Sequence, residues 1–268
     1  MISRLTRSLL FFAMAFSALG LASPVAALVV RHDVPAAAYL GRESDFPAVF
    51  GLYRTHTGHW DCLATLIGPR HALTAAHCTD VSELQAQLGT GKGGYAVEIA
   101  GLQVRIEAVI QYQVSGADPA PDLALLRLER SVTHIQPIGL LRDGNEVGRV
   151  VQIPGWGGTG TGQTGAGPSD GLFRVAENRV DRAENGRLYW TFDDPAQGKA
   201  LTLEGISGPG DSGGPALVRT PRGWSIAGVS SAQRTMDGPE GVYGVEEVFV
   251  RVSDFVDWIQ TELANSGK

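Results

Sequence analysis

The 268-residue sequence has 22 basic and 28 acidic residues, which gives a formal net charge of −6. The basic residues are dispersed, and an acidic chain without a basic block is a poor partner for nucleic acid or an anionic membrane surface. The chain length suits one large all-β domain or two smaller ones, with a sizeable core.

The first residues have the pattern of an export signal. Arg4 and Arg7 supply a positive start, the apolar run Leu9–Leu21 follows, and small residues precede Leu28. The alternative is a membrane anchor, but these 13 apolar-rich residues are too few for a bilayer-spanning helix, which needs about 20. We therefore predict a signal peptide of residues 1–27 and a secreted or periplasmic protein that makes no membrane contact after signal removal.

The two cysteines, Cys62 and Cys78, are predicted to form a disulfide bond, because export places them where such bonds persist. The bond would close a loop of 16 positions, which stabilises a fold by about 3 kcal/mol in the chain-entropy model. A reduced pair is the alternative.

Most of the chain consists of short apolar or alternating runs that are separated by Gly, Pro, Asn and Asp. This pattern indicates a β-barrel or β-sandwich rather than alternating strands and helices. The predicted strands include Ala48–Tyr53, Leu63–Ile67, Val104–Ile110, Leu123–Leu128, Val150–Ile153, Ser225–Val229 and Val248–Val252.

Two helical stretches are predicted. Ala75–Cys78 is short enough to be a single turn, whereas Asp254–Ala264 begins behind Ser253, a good helix cap. The longer stretch carries Phe255, Trp258, Ile259 and Leu263 on one face, so we expect it to pack against the body of the protein.

The segment Gly157–Gly167 is low in complexity and contains a G-x-G-x-x-G match at Gly160, Gly162 and Gly165. A dinucleotide-binding motif must follow a strand and open a helix, and no helical pattern follows here. We interpret the segment as a mobile loop and expect no nucleotide cofactor.

A second literal match, H-x₂-H-x₂-C at His56, His59 and Cys62, has ligand types that suit zinc. A bridged Cys62 cannot bind a metal ion, so we expect no metal site.

The stretch GISGPGDSGGPAL, Gly205–Leu217, contains a candidate nucleophile, Ser212. It matches G-x-S-x-G, but the hydrolase fold with that motif needs a histidine after the serine, and none follows Ser212. Any serine–histidine pair must use an upstream histidine. His77 ends a strand-like run in ALTAAHCTD, and Asp122 precedes an apolar run in PDLALLRL, where a buried carboxylate needs a donor.

Together, LTAAHC, PDLALLRL and GDSGGP resemble the trypsin/chymotrypsin family of serine proteases in order and approximate spacing. PGWGGTG and the closing FVRVSDFVDWIQ resemble the same family, and the likeness covers Val49–Leu263. The resemblance implies an all-β fold of two six-stranded antiparallel β-barrels (chymotrypsin-like) with a C-terminal α-helix. The expected barrels are residues 28–140, with His77 and Asp122, and residues 141–268, with Ser212.

The resemblance also implies a mechanism. Ser212 would attack the scissile carbonyl, His77 would accept and return its proton, and Asp122 would orient His77. The backbone N–H groups of Gly210 and Ser212 would form the oxyanion hole. Asp211 would pair with a newly freed α-amine.

The family's usual Ile-Val-Gly-Gly start is missing, and ALVVRHDVP stands where the mature chain would begin. We therefore hypothesise that signal cleavage frees Leu28 for the pairing with Asp211. The alternative is that Asp211 only caps its own turn.

By the same resemblance, Ile206 lies at the floor of the specificity pocket, and Ser230, Ser231 and Ala232 lie along its wall. An apolar residue at this position disfavours a deep pocket that binds the charged side chain of Lys or Arg. Glu247 falls near another wall and could restore a preference for a basic side chain, and the sequence leaves this open.

These observations predict a secreted serine endopeptidase that needs no cofactor. Its partners would be protein or peptide substrates, with protein inhibitors as further candidates. Two alternatives stay open: a catalytically inactive protease-like binding module, and an esterase that uses the same three residues.

Overall fold

The computed structural model describes residues 28–54, 58–89, 94–113, 120–235 and 238–265. The predicted export signal and His56 lie outside these ranges. Two α-helices occur in the described residues, α1 (Ser82–Gly89) and α2 (Val256–Asn265), and no described helix is long and apolar enough to cross a membrane. The strands in chain order are β1 (Leu28–Val30), β2 (Val49–Arg54), β3 (Trp60–Gly68), β4 (His71–Thr74), β5 (Tyr95–Ile99), β6 (Leu102–Gln111), β7 (Ala124–Leu128), β8 (Gly139–Leu140), β9 (Val150–Gly155), β10 (Thr159–Thr161), β11 (Gly165–Ala166), β12 (Arg174–Arg179), β13 (Arg182–Glu184), β14 (Arg187–Thr191), β15 (Gly205–Ile206), β16 (Pro215–Thr220), β17 (Gly223–Arg234) and β18 (Glu246–Arg251).

The first sheet joins six antiparallel strands in the order β2–β3–β4–β7–β6–β5. Register shifts between Leu66 and Gly68 and between Ile106 and Ala108 bend the paired strands, as β-bulges do. The central strands β4 and β7 are buried almost throughout. Leucine side chains from β3, β4 and β7 form much of the hydrophobic core of this sheet.

The second sheet follows the order β12–β9–β16–β17–β18–β14–β13, and the short β8 pairs in parallel with β17. It therefore has eight strands instead of the six predicted, because the short β13 extends one edge and the two-residue β8 pairs with the first part of the central strand β17. Trp190 and Phe249 stack in its core with ring centroids 4.4 Å apart. The all-β class, with two barrel-like sheets and a C-terminal helix, is confirmed.

A small third sheet, in the order β11–β10–β1–β15, contains the start of the described chain. β1 lies inside it, parallel to β10 and antiparallel to β15, and its three residues are at most 1% exposed. Five of the eleven residues of the Gly157–Gly167 segment, which we predicted to be a mobile loop, therefore belong to the strands β10 and β11. The division into barrels at residue 140 stays a prediction, and β1 pairs with strands of the second half.

Helix α2 connects the two halves of the fold. It follows β18 of the second sheet after a 3-10 turn, Val252–Phe255, so the predicted C-terminal helix is confirmed with a tighter first turn. Phe255 and Trp258 both pack edge-on against Tyr112, which comes directly after β6 of the first sheet. Helix α1 was not predicted, because its short sequence has a weak apolar pattern.

Candidate active site

His77 and Asp122 meet because the strands that precede and follow them are paired. β4 ends at Thr74 opposite Ala124, the first residue of β7, so the residues just beyond these ends face each other. The Asp122 carboxylate accepts hydrogen bonds from the His77 backbone N–H at 2.9 Å and from the His77 ring Nδ1 at 2.7 Å. This bond fixes the ring tautomer and leaves Nε2 as the nitrogen that can accept a proton.

The electrostatics of this pair follow from the same contacts. The hydrogen bond from His77 to Asp122 raises the pKa of His77, because it favours the charged imidazolium. Burial opposes ionisation of Asp122, but the hydrogen bonds from His77 and from the Ser231 hydroxyl, at 2.7 Å, outweigh it and hold the pKa of Asp122 below its usual value. Asp122 is therefore a stable anion beside a basic histidine.

Ser212 lies in a loop between β15 and β16 that the neighbouring strands hold at three points. Leu63 of β3 donates its backbone N–H to the Ser212 carbonyl at 2.7 Å, and Ser230 of β17 exchanges backbone hydrogen bonds with Gly213 and Gly214 at 2.9 Å. The loop position of Ser212 is thus fixed by both sheets.

Two glycines in this loop have no sterically acceptable substitute. Gly210 has φ +101°, and a Cβ there would lie 2.4 Å from the Trp60 carbonyl oxygen. Gly213 has φ +78°, and its Cβ would lie 2.3 Å from Thr74 Oγ1. Among the described residues, the N–H groups of Gly210 and Ser212 have no hydrogen-bond partner, so both remain available as donors.

The sulfur of Cys78 lies close to both Ser212 and His77. The Cys78 sulfur is 3.5 Å from the Ser212 carbonyl oxygen and 3.7 Å from His77 Nε2. Within the described ranges, no hydrogen bond joins the Ser212 hydroxyl to the His77 ring, a contact that often closes only when substrate binds. The Cys62–Cys78 disulfide is present as predicted, so its sulfurs are not available as metal ligands beside His77.

Asp211 is buried directly behind Ser212. Its carboxylate accepts backbone hydrogen bonds from Trp156 at 3.0 Å, from Gly157 at 2.7 Å and from Gly208 at 2.9 Å. A Cβ at Gly155 or Gly157 would lie 2.2–2.3 Å from the carboxylate oxygens, which is the physical reason for glycines around Trp156.

Burial raises the pKa of Asp211 to about 7, although the three amides partly offset this effect. In the part of the chain that the structure describes, no basic side chain forms an ion pair with Asp211.

The strands that pair with β1 lie close in sequence to the amides that bind this carboxylate. Leu28 aligns with Thr159 in the parallel pair, and Val29 aligns with Ile206 in the antiparallel pair. Gly157 lies two residues before Thr159, Gly208 lies two residues after Ile206, and both glycines donate to Asp211. The first residues of β1 therefore pair with segments that continue into the residues holding the Asp211 carboxylate.

A family model described as Trypsin matches residues 40–259. The chain belongs to the trypsin family. One relative is the CLIP domain-containing serine protease HP8 of Bombyx mori, which is 29% identical over 82% of this chain and 64% of that protein. Another is the snake venom serine protease gussurobin of Gloydius ussuriensis, which is 28% identical over 80% of this chain and 82% of that protein. Transmembrane protease serine 9 of Rattus norvegicus is 33% identical over 74% of this chain but only 19% of its own length. The chain thus spans about two thirds of the length of the Bombyx mori relative.

In this trypsin-family chain, Ser212 lines a small cavity of about 150 Å³. Three of the four predicted pocket residues also line it, namely Ser230, Ser231 and Ala232. Ile206 does not: its side chain is fully buried in the core of the second half, because β15 pairs with β1 there. The cavity is completed by Ser207, Gly208, Pro209, Gln233 and Glu240.

The structure also assigns contacts that the sequence did not indicate. Ser231, predicted as a wall residue, binds the Asp122 carboxylate. Glu247 is fully buried behind Ser207, whose hydroxyl lies 2.8 and 3.0 Å from the two carboxylate oxygens. Burial raises the pKa of Glu247 to about 8 against the opposing effect of hydrogen bonds from Ser207 and Gln233.

Proposed function

We propose that the protein is a secreted serine endopeptidase that hydrolyses peptide bonds through an acyl-enzyme intermediate. The observation that carries the proposal is the His77–Asp122 hydrogen bond beside a Ser212 loop in which the N–H groups of Gly210 and Ser212 have no partner among the described residues. Secretion is proposed from the signal-like start of the sequence. The substrates would be protein or peptide chains, and protein inhibitors would occupy the same cleft.

The residues act in two half-reactions. Ser212 Oγ attacks the scissile carbonyl carbon while its proton passes to His77 Nε2, and the N–H groups of Gly210 and Ser212 stabilise the oxyanion. The C–N bond then breaks, and the leaving amine takes the proton from His77. In the second half, His77 accepts a proton from water, the hydroxide attacks the acyl carbon, and Ser212 Oγ leaves with the returned proton. Asp122 stays ionised throughout and stabilises the imidazolium, which its low pKa permits.

Hydrolysis of matched peptide and ester substrates tests this function. Wild-type protein should cleave both, and Ser212→Ala should lose about 10⁶-fold in kcat. Ser44→Ala, a change at an exposed serine, is the matched control and should leave turnover unchanged. Cleavage of esters alone would favour the esterase, and a folded protein without turnover on either substrate would favour the binding module.

We also propose that a cut immediately before Leu28 activates the enzyme. The new α-amine would form an ion pair with Asp211, which is buried without a cation among the described residues. The support is the register of β1, whose first two residues align with Thr159 and Ile206, each two residues away from a glycine that donates to Asp211.

This activation is tested with two chains, one released from a fusion so that it begins at Leu28 and one that retains a single additional alanine. The longer chain should lose at least about 100-fold in kcat/KM, because a buried ion pair that loses one partner costs about 3–5 kcal/mol. Its unfolding should remain cooperative. Equal activity of the two chains would leave Asp211 as a cap of its own turn.

A further inference from the structure

Two side chains that line the cavity beside Ser212, Ser207 and Gln233, bind Glu247, which does not line it. Gln233 donates both N–H groups of its amide, one to the Ser207 carbonyl at 2.7 Å and one to Glu247 Oε1 at 2.9 Å. Its amide oxygen accepts from the Gly241 backbone N–H at 3.2 Å. All the strong hydrogen-bonding groups of this amide are therefore used within the protein.

The position of Gly241, which donates to the Gln233 amide oxygen, is fixed by close packing. Gly241 has φ +80°, and a Cβ there would lie 2.7 Å from the Ala166 backbone nitrogen of β11. Gln233 is thus attached to three separate segments: the loop after β15, strand β18 and the loop that packs on β11. A side chain that entered the cavity deeply would have to break these contacts.

Glu247 is covered as a result. Its side chain is 0% exposed and does not line the cavity, although Ser207 and Gln233, which bind it, both do. In the sheet, Glu247 pairs with two neutral residues, Trp190 on β14 and Gln233 on β17. Asp211 is the charged group that acts on it, and this repulsion adds to burial in favouring the neutral acid. Glu240 also lines the cavity, but its carboxylate is exposed, where water screens it.

We infer that Gln233 is a specificity-determining residue that closes the pocket above Glu247, so that the pocket accepts small uncharged side chains at the residue preceding the cleaved bond. This inference rests on the proposed endopeptidase function. Ser207, Ser230 and Ser231 are among the residues that line the space of about 150 Å³. A Lys or Arg side chain would either stop short of Glu247 or displace the Gln233 amide.

The test compares kcat/KM for peptides that differ only in the residue before the cleaved bond: Ala, Leu, Phe, Lys or Arg. Wild type should cleave after Ala at least about tenfold better than after Lys or Arg, because a long basic side chain costs the buried hydrogen bonds of Gln233. Glu247→Gln in the presence of Gln233 should keep this order.

Gln233→Gly, with Gln233→Ala as the milder variant, should raise cleavage after Lys and Arg by at least about tenfold relative to Ala, because Glu247 then becomes reachable. For the Gly variant this gain should increase with pH as Glu247 ionises. The double variant Gln233→Gly, Glu247→Gln should lose the gain for Lys and Arg but keep any gain for Leu and Phe.

A wild-type preference for Lys or Arg that Glu247→Gln removes would overturn the inference, since Glu247 would then bind the basic side chain directly. An unchanged profile in both Gln233 variants would also overturn it. If no protein cleaves any of the peptides and Ser212 reacts with no acylating probe, the proposed function itself is wrong.

Discussion

Gly210 allows a test that separates backbone strain from the geometry of the proposed oxyanion hole. Gly210→Ala places a Cβ 2.4 Å from the Trp60 carbonyl oxygen at φ +101°. Gly223, the first residue of β17, has nearly the same φ, +103°, but nothing lies within 4 Å of its Cβ position. Gly223→Ala therefore carries the strain of the φ angle without the clash.

We expect both variants to lose about 1–3 kcal/mol of unfolding free energy from strained φ, with a larger loss for Gly210→Ala, because Trp60 or the loop must also shift. Only Gly210→Ala should lose activity, by about 10²–10³ in kcat, since the shift moves one N–H away from the oxyanion. Thermal unfolding and steady-state kinetics on one ester substrate measure both effects. If kcat of Gly210→Ala stayed within about threefold of Gly223→Ala, the assignment of this amide would be refuted.

Three further predictions concern the partners of the candidate site. Asp122→Asn should lower kcat about 10⁴-fold. The rise of kcat/KM with pH should also move to lower pH in this variant, because the pKa of His77 is raised chiefly by its hydrogen bond to the Asp122 carboxylate. An unchanged pH profile would contradict this prediction. Ser231→Ala removes one of the donors to Asp122 and should cost about tenfold or less in kcat; a loss as large as that of Asp122→Asn would show a more direct role. Replacement of Cys62 and Cys78 by serine opens a loop of 16 positions and should lower the unfolding free energy by about 3 kcal/mol in urea titrations, so unchanged stability would refute the cross-link argument.

The sequence predicted those parts of the fold that depend on local pattern or on motif order. The apolar run after Asp122 is strand β7, and the apolar face behind Ser253 belongs to α2 and its first turn. The approach of His77 to Asp122 could be expected because each residue borders a buried strand and a buried acid needs a donor.

Other features depend on partners far away in the chain, and no local pattern reports them. Within Gly157–Gly167, β10 pairs with its neighbour β11 and also with β1, which lies more than 120 residues earlier. The contact of Ser231 with Asp122 joins residues 109 positions apart. Counting along the sequence placed Glu247 near the pocket. Only the structure shows that the Gln233 amide binds Glu247 on the side of the cavity.

The central claim is that His77 activates Ser212 as a nucleophile, and covalent labelling with a fluorophosphonate tests it most directly. The chain that begins at Leu28 should take up one label, which peptide mapping by mass spectrometry should locate on Ser212. His77→Ala should slow the labelling by orders of magnitude while the fold is retained. A folded wild-type protein that stays unlabelled at Ser212, or a His77→Ala variant that labels equally fast, would contradict the account.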